Sequence, residues 1–572
     1  MLDFRNVNSL WASVLVETLH RLGLTTAICC PGSRSTPLTL AFAQHPVIKA
    51  IPVLDERSAA FFALGIAKAS QQPVALVCTS GTAGANFYPA VIEAKETHTP
   101  LLILTADRPP ELHHCHAGQT IDQIKLYGNY PNWQTQLSTP GNDFSQLVYL
   151  RQTIVHAWES CLFPPAGVVH LNIPFRDPLP PIADGKTPKL ETGFDADSFF
   201  SHLRADFRPP LLTYHSPLPK LPPNGLIIAG VEHYTLSGSY CQAIAHLSRC
   251  LGYPVLAEAL SPVRNHAHLN PNLVTGYDLL LRHPAPELEP EIVIQIGELP
   301  TSKELRQWLE KIDPPRLIIS PHPDNFDPLH GKTRHIRTRI ETVAQALGQT
   351  HSHSYCQIWC DRDRSIRENI IAKMDNTDEI IEAKVAYLLS RHLPPQTPIF
   401  IANSMPIRYM EWFWLPNMRR YQPYFNRGAN GIDGTLSTAL GIAYKNNPSV
   451  LLTGDLALLH DTNGFLSKKH FTGSLTIVLI NNDGGGIFEM LPIAGFAPYF
   501  EDYFATPTGM DFERLCGTYG VEHHLIKDWG QLIKLLNPLP QDGIRVIEVR
   551  SDRSSDAQWL QKNLKELGRV DS

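Results

Sequence analysis

Two stretches end a strand in residues that could hold a metal ion. SVLLTGDLALLHDTNGF (449–465) reads as a strand, then Gly454-Asp455, then a loop and helix. LTIVLINNDGGGIF (475–488) reads as a second strand, followed by Asn481-Asn482-Asp483 and three glycines. Asp455 and Asn482 stand 27 residues apart, the length of one strand–helix–strand unit. Ligands of open parallel sheets bind beyond the carboxyl ends of strands, so two neighbouring strand ends would bring a carboxylate and an amide oxygen together. Hard oxygen ligands suit Mg2+, which prefers octahedral geometry and completes its shell with phosphate oxygens and water. The glycines after Asn482 would let backbone approach the ion closely. Two ordinary turns with polar caps are the plainer alternative. A lone Gly-Asp would fit that alternative, but the pair at this spacing points to a metal–diphosphate site.

A second acid stands early in the chain. In VLDERSAAFFALGIAKAS (53–70) a short apolar strand ends in Asp55-Glu56 and an Ala-rich amphipathic helix follows. Taken alone, the segment is a capped helix: Asp55 or Ser58 would bond free N–H groups, and acids suit the positive end of the helix dipole. The segment itself gives Glu56 no further role.

The elements that must position these residues are legible. TAICC (26–30), AIPVL (50–54), VALVC (74–78) and LLILT (101–105) are short runs of β-formers separated by helical patterns. This is the signature of a parallel sheet covered on both faces. Pro-rich passages at 174–188 and 207–225 suit an extended connection. LIIAG (226–230), PVLAE (254–258), IVIQIG (292–297) and RLIIS (316–320) form a second α/β unit. PIFIAN (398–403), SVLLTG (449–454), LTIVLIN (475–481) and IRVIEV (544–549) form a third. The predicted fold class is therefore α/β, with three doubly wound parallel-sheet domains.

The bulk numbers agree. A chain of 572 residues, 43% apolar and 18% charged, is globular and too long for one core. Its net charge of −6, with no basic block, argues against nucleic acid and anionic membrane surfaces. No apolar run approaches the roughly 20 residues of a membrane span, and the N-terminus reads as an amphipathic helix rather than a signal peptide. The scattered cysteines, with no C-x-x-C pair, suit reduced thiols in the cytoplasm. The run His113-His114-Cys115-His116 and the looser set His351, His353, Cys356 and Cys360 lack a matching second pair at zinc-finger spacing. TSGTAGAN (79–86) lacks the full dinucleotide fingerprint, and GVEHY (230–234) shows no dinucleotide turn, so neither nicotinamide nor flavin is expected.

Gly454-Asp455 with Asn482 resembles the metal–diphosphate motif of thiamine-diphosphate enzymes. A small residue, often Gly, usually follows the Asp; here Leu456 stands there, and neither side-chain ligand is lost. The resemblance implies that Asp455, Asn482 and the Gly484 carbonyl hold Mg2+, with Mn2+ as a substitute. It also gives Glu56 a role, because the family places a glutamate at a strand end of its N-terminal domain to bond N1′ of the aminopyrimidine. The implied domains are 1–183 for the pyrimidine, 184–350 as a central domain without flavin, and 351–572 for the diphosphate and metal. Ser80, Gly81, Asn86, Ile432, Gly454, Ile487 and Phe488 would complete the cofactor site. Among them Ile432 would be the wedge that bends the coenzyme, and Ile487 and Phe488 apolar pocket walls. Since the family builds one site from two chains, a homodimer is expected, with a homotetramer as the alternative.

Further stretches resemble the menaquinone- and phylloquinone-biosynthetic branch of that family. They are CPGSRSTPL (30–38), LDERSAAF (54–61), TSGTAGANFYPAVIEA (79–94), LTADRPPEL (104–112), AGQTIDQ (117–123), NSMPIR (403–408), NRGANGIDGTLSTALG (426–441) and NNDGGGIF (481–488), with ELPTSK (298–303) in the middle. This branch decarboxylates 2-oxoglutarate and adds the succinyl unit to isochorismate in a 1,4 fashion. Both substrates are polyanions, and guanidinium forks grip carboxylates in a bidentate way. The resemblance assigns Ser404, Arg408 and Arg427 to the succinyl carboxylate, and Ser33, Arg34, Arg108, Gln119 and Lys303 to isochorismate. Gly118 stands where the branch often has Asn, so one polar contact is missing or replaced. The rivals are an acetolactate-synthase-like carboligase, which the arginine set opposes, and a non-catalytic homologue, which the presence of Glu56 and Asp455 opposes.

Overall fold

Short apolar runs become buried parallel strands when helices cover both faces of a sheet. A computed structural model describes residues 2–205, 219, 221–231, 237–347 and 354–569. The first sheet is built from β1 (Thr26–Cys29), β2 (Lys49–Pro52), β3 (Val74–Cys78), β4 (Leu101–Asp107), β5 (Trp133–Gln136) and β6 (Val168–Pro174), in the order β2-β1-β3-β4-β6-β5. The second uses β7 (Gly225–Ala229), β8 (Val255–Ala257), β9 (Leu273–Val274), β10 (Ile292–Ile296), β11 (Arg316–Ile319) and β12 (Thr333–Ile336), in the order β12-β11-β10-β7-β8-β9. The third uses β13 (Pro398–Ile401), β14 (Gln422–Tyr424), β15 (Ser449–Gly454), β16 (Ser474–Asn481), β17 (Glu522–Leu525) and β18 (Gly543–Arg550), in the order β14-β13-β15-β16-β18-β17. All neighbouring strands in the three sheets run parallel. Three doubly wound sheets were expected, and three are found.

The chain gathers into two compact units. One comprises Met1–Pro210, Asn426–Lys445 and His460–Thr472; the other comprises Leu211–Phe425, Asn446–Leu459 and Gly473–Ser572. In the first unit the helix Val7–Leu22 is capped by the Asn6 side chain, which accepts from Ser9 N. Its sequence reads as amphipathic, yet Asn8, Ser9, Ser13 and Thr18 are also buried. Asn8 Nδ2 meets that cost by donating to the carbonyls of Arg176 and Pro178, at 2.6 and 2.9 Å. In the same unit the helix Glu56–Ser70 crosses the helix Thr435–Ala443 at two glycines. A Cβ on Gly65 would lie 2.1 Å from the Thr438 carbonyl oxygen, and one on Gly441 would lie 2.2 Å from that of Phe62.

In the second unit one continuous apolar core runs through both sheets. A buried ion pair crosses it: Arg264 Nη2 lies 2.9 Å from Glu411 Oε1, and Arg264 also donates to the carbonyls of Ala257 and Glu411. The pair fixes the helix Met405–Phe413, which carries Arg408. Most of the Pro-rich passage 207–225 and most of GVEHY lie outside the described residues, as do His351 and His353. Their companions Cys356 and Cys360 sit one turn apart on the helix Ser354–Asp375.

The glycine crossing gives a direct check. Gly441→Ala should lower stability by about 2–3 kcal/mol, because the new methyl meets backbone rather than a movable side chain. Gly517→Ala, on the helix Phe512–Tyr519 with open space around it, should be neutral or stabilise by about 0.5–1 kcal/mol. Thermal unfolding of both variants beside the unaltered protein measures the contrast.

Candidate active site

The register of β15 with β16 sets Gly454 opposite Ile480, so Asp455 and Asn482 both lie just past the carboxyl ends of adjacent strands. Asp455 opens the short helix Asp455–His460. Its Oδ1 accepts from Leu456 N at 2.8 Å and its Oδ2 from Gly484 N at 2.7 Å. Leu456 thus contributes through its backbone, which explains why a larger side chain is tolerated there. Gly484 has φ +143°, and a Cβ on it would sit 2.5 Å from the Ala505 carbonyl oxygen. Glycine is therefore required for the loop to pass.

Asn482 is the informative residue. Its Nδ2 donates to Glu382 Oε1 at 2.7 Å, while its Oδ1 is buried with no hydrogen-bond partner. Burial pushes the Asp455 carboxyl up to about 6, against the pull of its two N–H donors. A buried carboxylate that resists ionisation, beside a buried amide oxygen without a partner, suits a cation. The residues fit one: Asp455, Asn482 through Oδ1, and the Gly484 carbonyl form an all-oxygen set for Mg2+ or Mn2+. That carbonyl accepts from Gly486 N at 3.0 Å and keeps a second lone pair.

The surroundings of this site were not singled out from the sequence. Glu382 Oε2 accepts from Tyr409 OH at 2.6 Å, and its Oε1 also accepts from Ser551 Oγ at 3.0 Å. Glu382 N donates to Asp556 Oδ1 at 2.9 Å. Burial, then the neighbouring Glu382 charge, push Asp556 up to about 8. Arg553 donates to the Asp483 carbonyl and to Glu489 and Glu501, which ties down the loop carrying Gly484. No local motif marks Glu382, because it stands 100 residues before Asn482, at the start of the helix Glu382–His392. Ile487 and Phe488 lie half-buried on the short helix Gly486–Glu489; Ile487 packs on the core, and Phe488 meets Phe504 edge-on at 5.8 Å. Ser404 has φ +73° and its carbonyl accepts from Arg408 Nη1 at 2.6 Å. Lys303 is exposed at the start of the helix Lys303–Ile312.

The first unit gathers a different set. Arg34 is 9% exposed, donates from Nη1 to the Phe175 carbonyl at 2.9 Å, and has a buried Nε without a partner. Arg108 donates to Ser80 Oγ, and Gln119 Nε2 donates to the Ser80 carbonyl at 2.9 Å. Burial and the adjacent Arg34 charge both hold the Arg108 pKa below its usual range. Two guanidiniums, a hydroxyl and an amide thus converge, with Ser33 exposed beside Arg34. Asp177 lies 3.8 Å from Arg34 at the solvent side. A buried network braces the strand ends. Gly81 N donates to Gln123 Oε1 and Gln123 Nε2 to Asn172 Oδ1, while Asn172 Nδ2 donates to Asp107 Oδ2. Asn86 does not join the cluster, since its Nδ2 turns back to the Thr82 carbonyl at 3.0 Å. Of the run His113-His114-Cys115-His116, His113 Nε2 sits 3.0 Å from the Arg108 carbonyl oxygen and 3.5 Å from Asp107 Oδ2.

Glu56 begins the helix Glu56–Ser70, and its neighbours take the capping and anchoring roles. Asp55 is the cap, accepting from Ser58 N at 3.1 Å and from Asn463 Nδ2 at 2.7 Å. Arg57 Nη2 donates to the His460 carbonyl at 2.7 Å, and Ser58 Oγ contacts Asp461 Oδ1 at 3.5 Å. The helix start is therefore pinned on both sides of Glu56. Arg427 and Ile432 lie on a loop held by Glu93, whose carboxylate accepts from Gly428 N and Ala429 N at 3.1 and 2.8 Å. Lys68 Nζ completes the anchor, 3.3 Å from Glu93 and 3.0 Å from Asn426 Oδ1.

The chain resembles known proteins over nearly its whole length. Residues 11–126 match the family described as the N-terminal TPP-binding domain of thiamine pyrophosphate enzymes, and residues 222–401 match their middle domain. A protein of Gloeothece citriformis named 2-succinyl-5-enolpyruvyl-6-hydroxy-3-cyclohexene-1-carboxylate synthase is 62% identical, over 98% of this chain and 99% of its own. Proteins of the same name from Microcystis aeruginosa and Acaryochloris marina are 61% and 53% identical, each across at least 98% of this chain and 99% of its own. Among solved structures, benzoylformate decarboxylase from Polynucleobacter necessarius shares the fold with a TM-score of 0.66, at 15% identity over 97% of this chain and 99% of its own.

The raised Asp455 pKa has a signed consequence. In metal-free protein this group stabilises the fold fully below its unfolded value of 3.8, and that contribution is lost as pH rises through about 6. Denaturant titrations of metal-free protein and Asp455→Asn should show the unaltered protein losing roughly 2 kcal/mol relative to the variant between pH 4 and pH 7. A constant gap across that range would remove the assigned environment.

Proposed function

The chain belongs to the family of 2-succinyl-5-enolpyruvyl-6-hydroxy-3-cyclohexene-1-carboxylate synthases, within the thiamine pyrophosphate enzymes, and from that membership we propose that it couples 2-oxoglutarate to isochorismate with loss of CO2. Membership by near-complete alignment at 62% identity is the observation that carries the reading. Thiamine diphosphate, when bound, supplies the nucleophilic carbon that takes up the 2-oxo acid and stores its electron pair as CO2 leaves.

The chain's own residues do the rest. Glu56 would hold the pyrimidine N1′ by a shared proton, and the tied residues on either side keep its backbone in place. Asp455, Asn482 and the Gly484 carbonyl would hold Mg2+ or Mn2+, which would neutralise the diphosphate. Gly454, Ser80, Gly81, Asn86, Ile432, Ile487 and Phe488 border the coenzyme, and the apolar ones exclude water. Ser404, Arg408 and Arg427 receive the distal carboxylate of 2-oxoglutarate. Ser33, Arg34, Arg108, Gln119 and Lys303 receive isochorismate, a dianion suited to the paired guanidiniums of Arg34 and Arg108.

The division into 1–183, 184–350 and 351–572, the homodimer with a homotetramer as its alternative, and a cytoplasmic location belong to the same proposal. Among the described residues no helix is long and apolar enough to cross a membrane.

Incubation with thiamine diphosphate, Mg2+, 2-oxoglutarate and isochorismate should give the coupled adduct by mass spectrometry. 2-Oxoglutarate should be decarboxylated in preference to pyruvate, and the reverse preference would end the substrate assignment. Glu56→Gln should bind the coenzyme yet lose turnover by about 10²–10⁴-fold. Undiminished turnover in that variant would end the role given to Glu56.

A further inference from the structure

An amide ligand has a problem that a carboxylate lacks. Its oxygen and nitrogen are nearly the same size, so packing alone does not decide which one faces the ion. Only the oxygen coordinates; the reversed amide would point two N–H groups at a cation. Something next to Asn482 must choose. The Asp455 carboxylate has its oxygens on Leu456 N and Gly484 N. The contact that reaches the Asn482 amide is Glu382 Oε1, 2.7 Å from Nδ2.

Glu382 is built to act as an acceptor. It opens the helix Glu382–His392, where the dipole favours an anion. Two hydroxyls, Tyr409 OH and Ser551 Oγ, converge on its oxygens at 2.6 and 3.0 Å, and its own backbone N–H is engaged by Asp556. The residue is 1% exposed, so water cannot substitute for it. With Nδ2 drawn to this carboxylate, Asn482 Oδ1 is left as the buried atom without a partner.

We infer that Glu382 is a positioning residue: it sets the orientation of the Asn482 amide and thereby makes Asn482 a metal ligand. The inference rests on the proposal that Asp455, Asn482 and Gly484 hold the divalent ion. Glu382→Gln puts a donor as well as an acceptor beside Asn482, so either amide orientation is satisfied and the bias vanishes. Asn482→Asp brings two equivalent oxygens that need no orienting, but it sets a like charge against Glu382. The two changes should therefore compensate, since the amide introduced by the first can donate to the carboxylate introduced by the second.

The test measures thiamine diphosphate binding by calorimetry at a series of Mg2+ concentrations, with thermal unfolding to confirm that each variant folds. E382Q should raise the half-saturating Mg2+ concentration about tenfold or more, the usual scale for a partner of a metal ligand. N482D should raise it too. The double variant E382Q/N482D should return to within about threefold of the unaltered protein, the residue of an imperfect exchange of donor and acceptor. A structural role for Glu382 alone predicts no such rescue, so a double variant weaker than either single one overturns the inference, as does E382Q with unchanged Mg2+ dependence. Asp455→Ala separates the two levels: if it leaves Mg2+ dependence intact, the metal site itself is misplaced, whereas its loss alongside a normal E382Q sinks only the role of Glu382.

Discussion

The site depends on a carboxylate held where it is uncomfortable. Asp455 is 2% exposed, and burial raises its pKa to about 6 despite two backbone N–H donors. Ionising a group in such a place costs free energy that only a nearby cation returns in full. Around it lie further buried acids, Glu382 and Asp556, which burial likewise pushes toward the neutral form. The arrangement favours a small divalent ion. A lysine or arginine inserted here would neutralise the acids permanently, whereas an exchangeable ion neutralises them only when it arrives, together with the phosphates that complete its shell.

The two outer sheets use one topology for opposite electrostatic purposes. Both follow the same strand order, with the chain reversing direction across the sheet between β1 and β3 in the first and between β13 and β15 in the third. Ligand-binding groups belong at such a reversal. In the first sheet the ends of β1, β3 and β4 lead to Arg34, Ser80 and Arg108, a set that attracts anions. In the third sheet the ends of β13, β15 and β16 lead to Ser404, Asp455 and Asn482, the last two offering oxygens suited to a cation. The middle sheet has a different order, β12-β11-β10-β7-β8-β9, with its reversal between β7 and β10.

What the sequence displayed and what it hid follow from burial. Interior strands such as β3 and β4 are buried at every residue and show as unbroken apolar runs. The strands that went unread are mostly edges: β5, β12, β14 and β17 are half-buried or exposed at most positions, and β9 has only two residues. An edge has one neighbour and needs fewer apolar residues. The exception is β6, whose run is interrupted by His170 and Asn172. Both are buried because Thr105, Asp107 and Gln123 satisfy them, and burial drives the His170 pKa down to about 3, so it stays neutral. Asp455 and Asn482 drew notice because each stands in a short, ordered pattern after a strand, whereas Glu56 gained its role only through the family resemblance. Glu382, Gln123 and Asp461 drew none, since their partners are distant in sequence and no local spacing encodes the pairing.

The loop carrying Arg427 shows how such hidden partners serve a legible residue. NRGANGIDG contains three glycines and would be loose on entropic grounds. Two of its backbone N–H groups are captured by the Glu93 carboxylate, 3% exposed, which in turn needs Lys68 beside it to be tolerable in the interior. Burial pulls the Lys68 pKa down, and Glu93 opposes that pull. Such a pair adds little net stability, because desolvation of both charges offsets most of their attraction. Its contribution is geometric: it ties a glycine-rich loop to the helix that begins at Glu56, so the order of Arg427 and Ile432 is supplied by residues that need not touch any ligand.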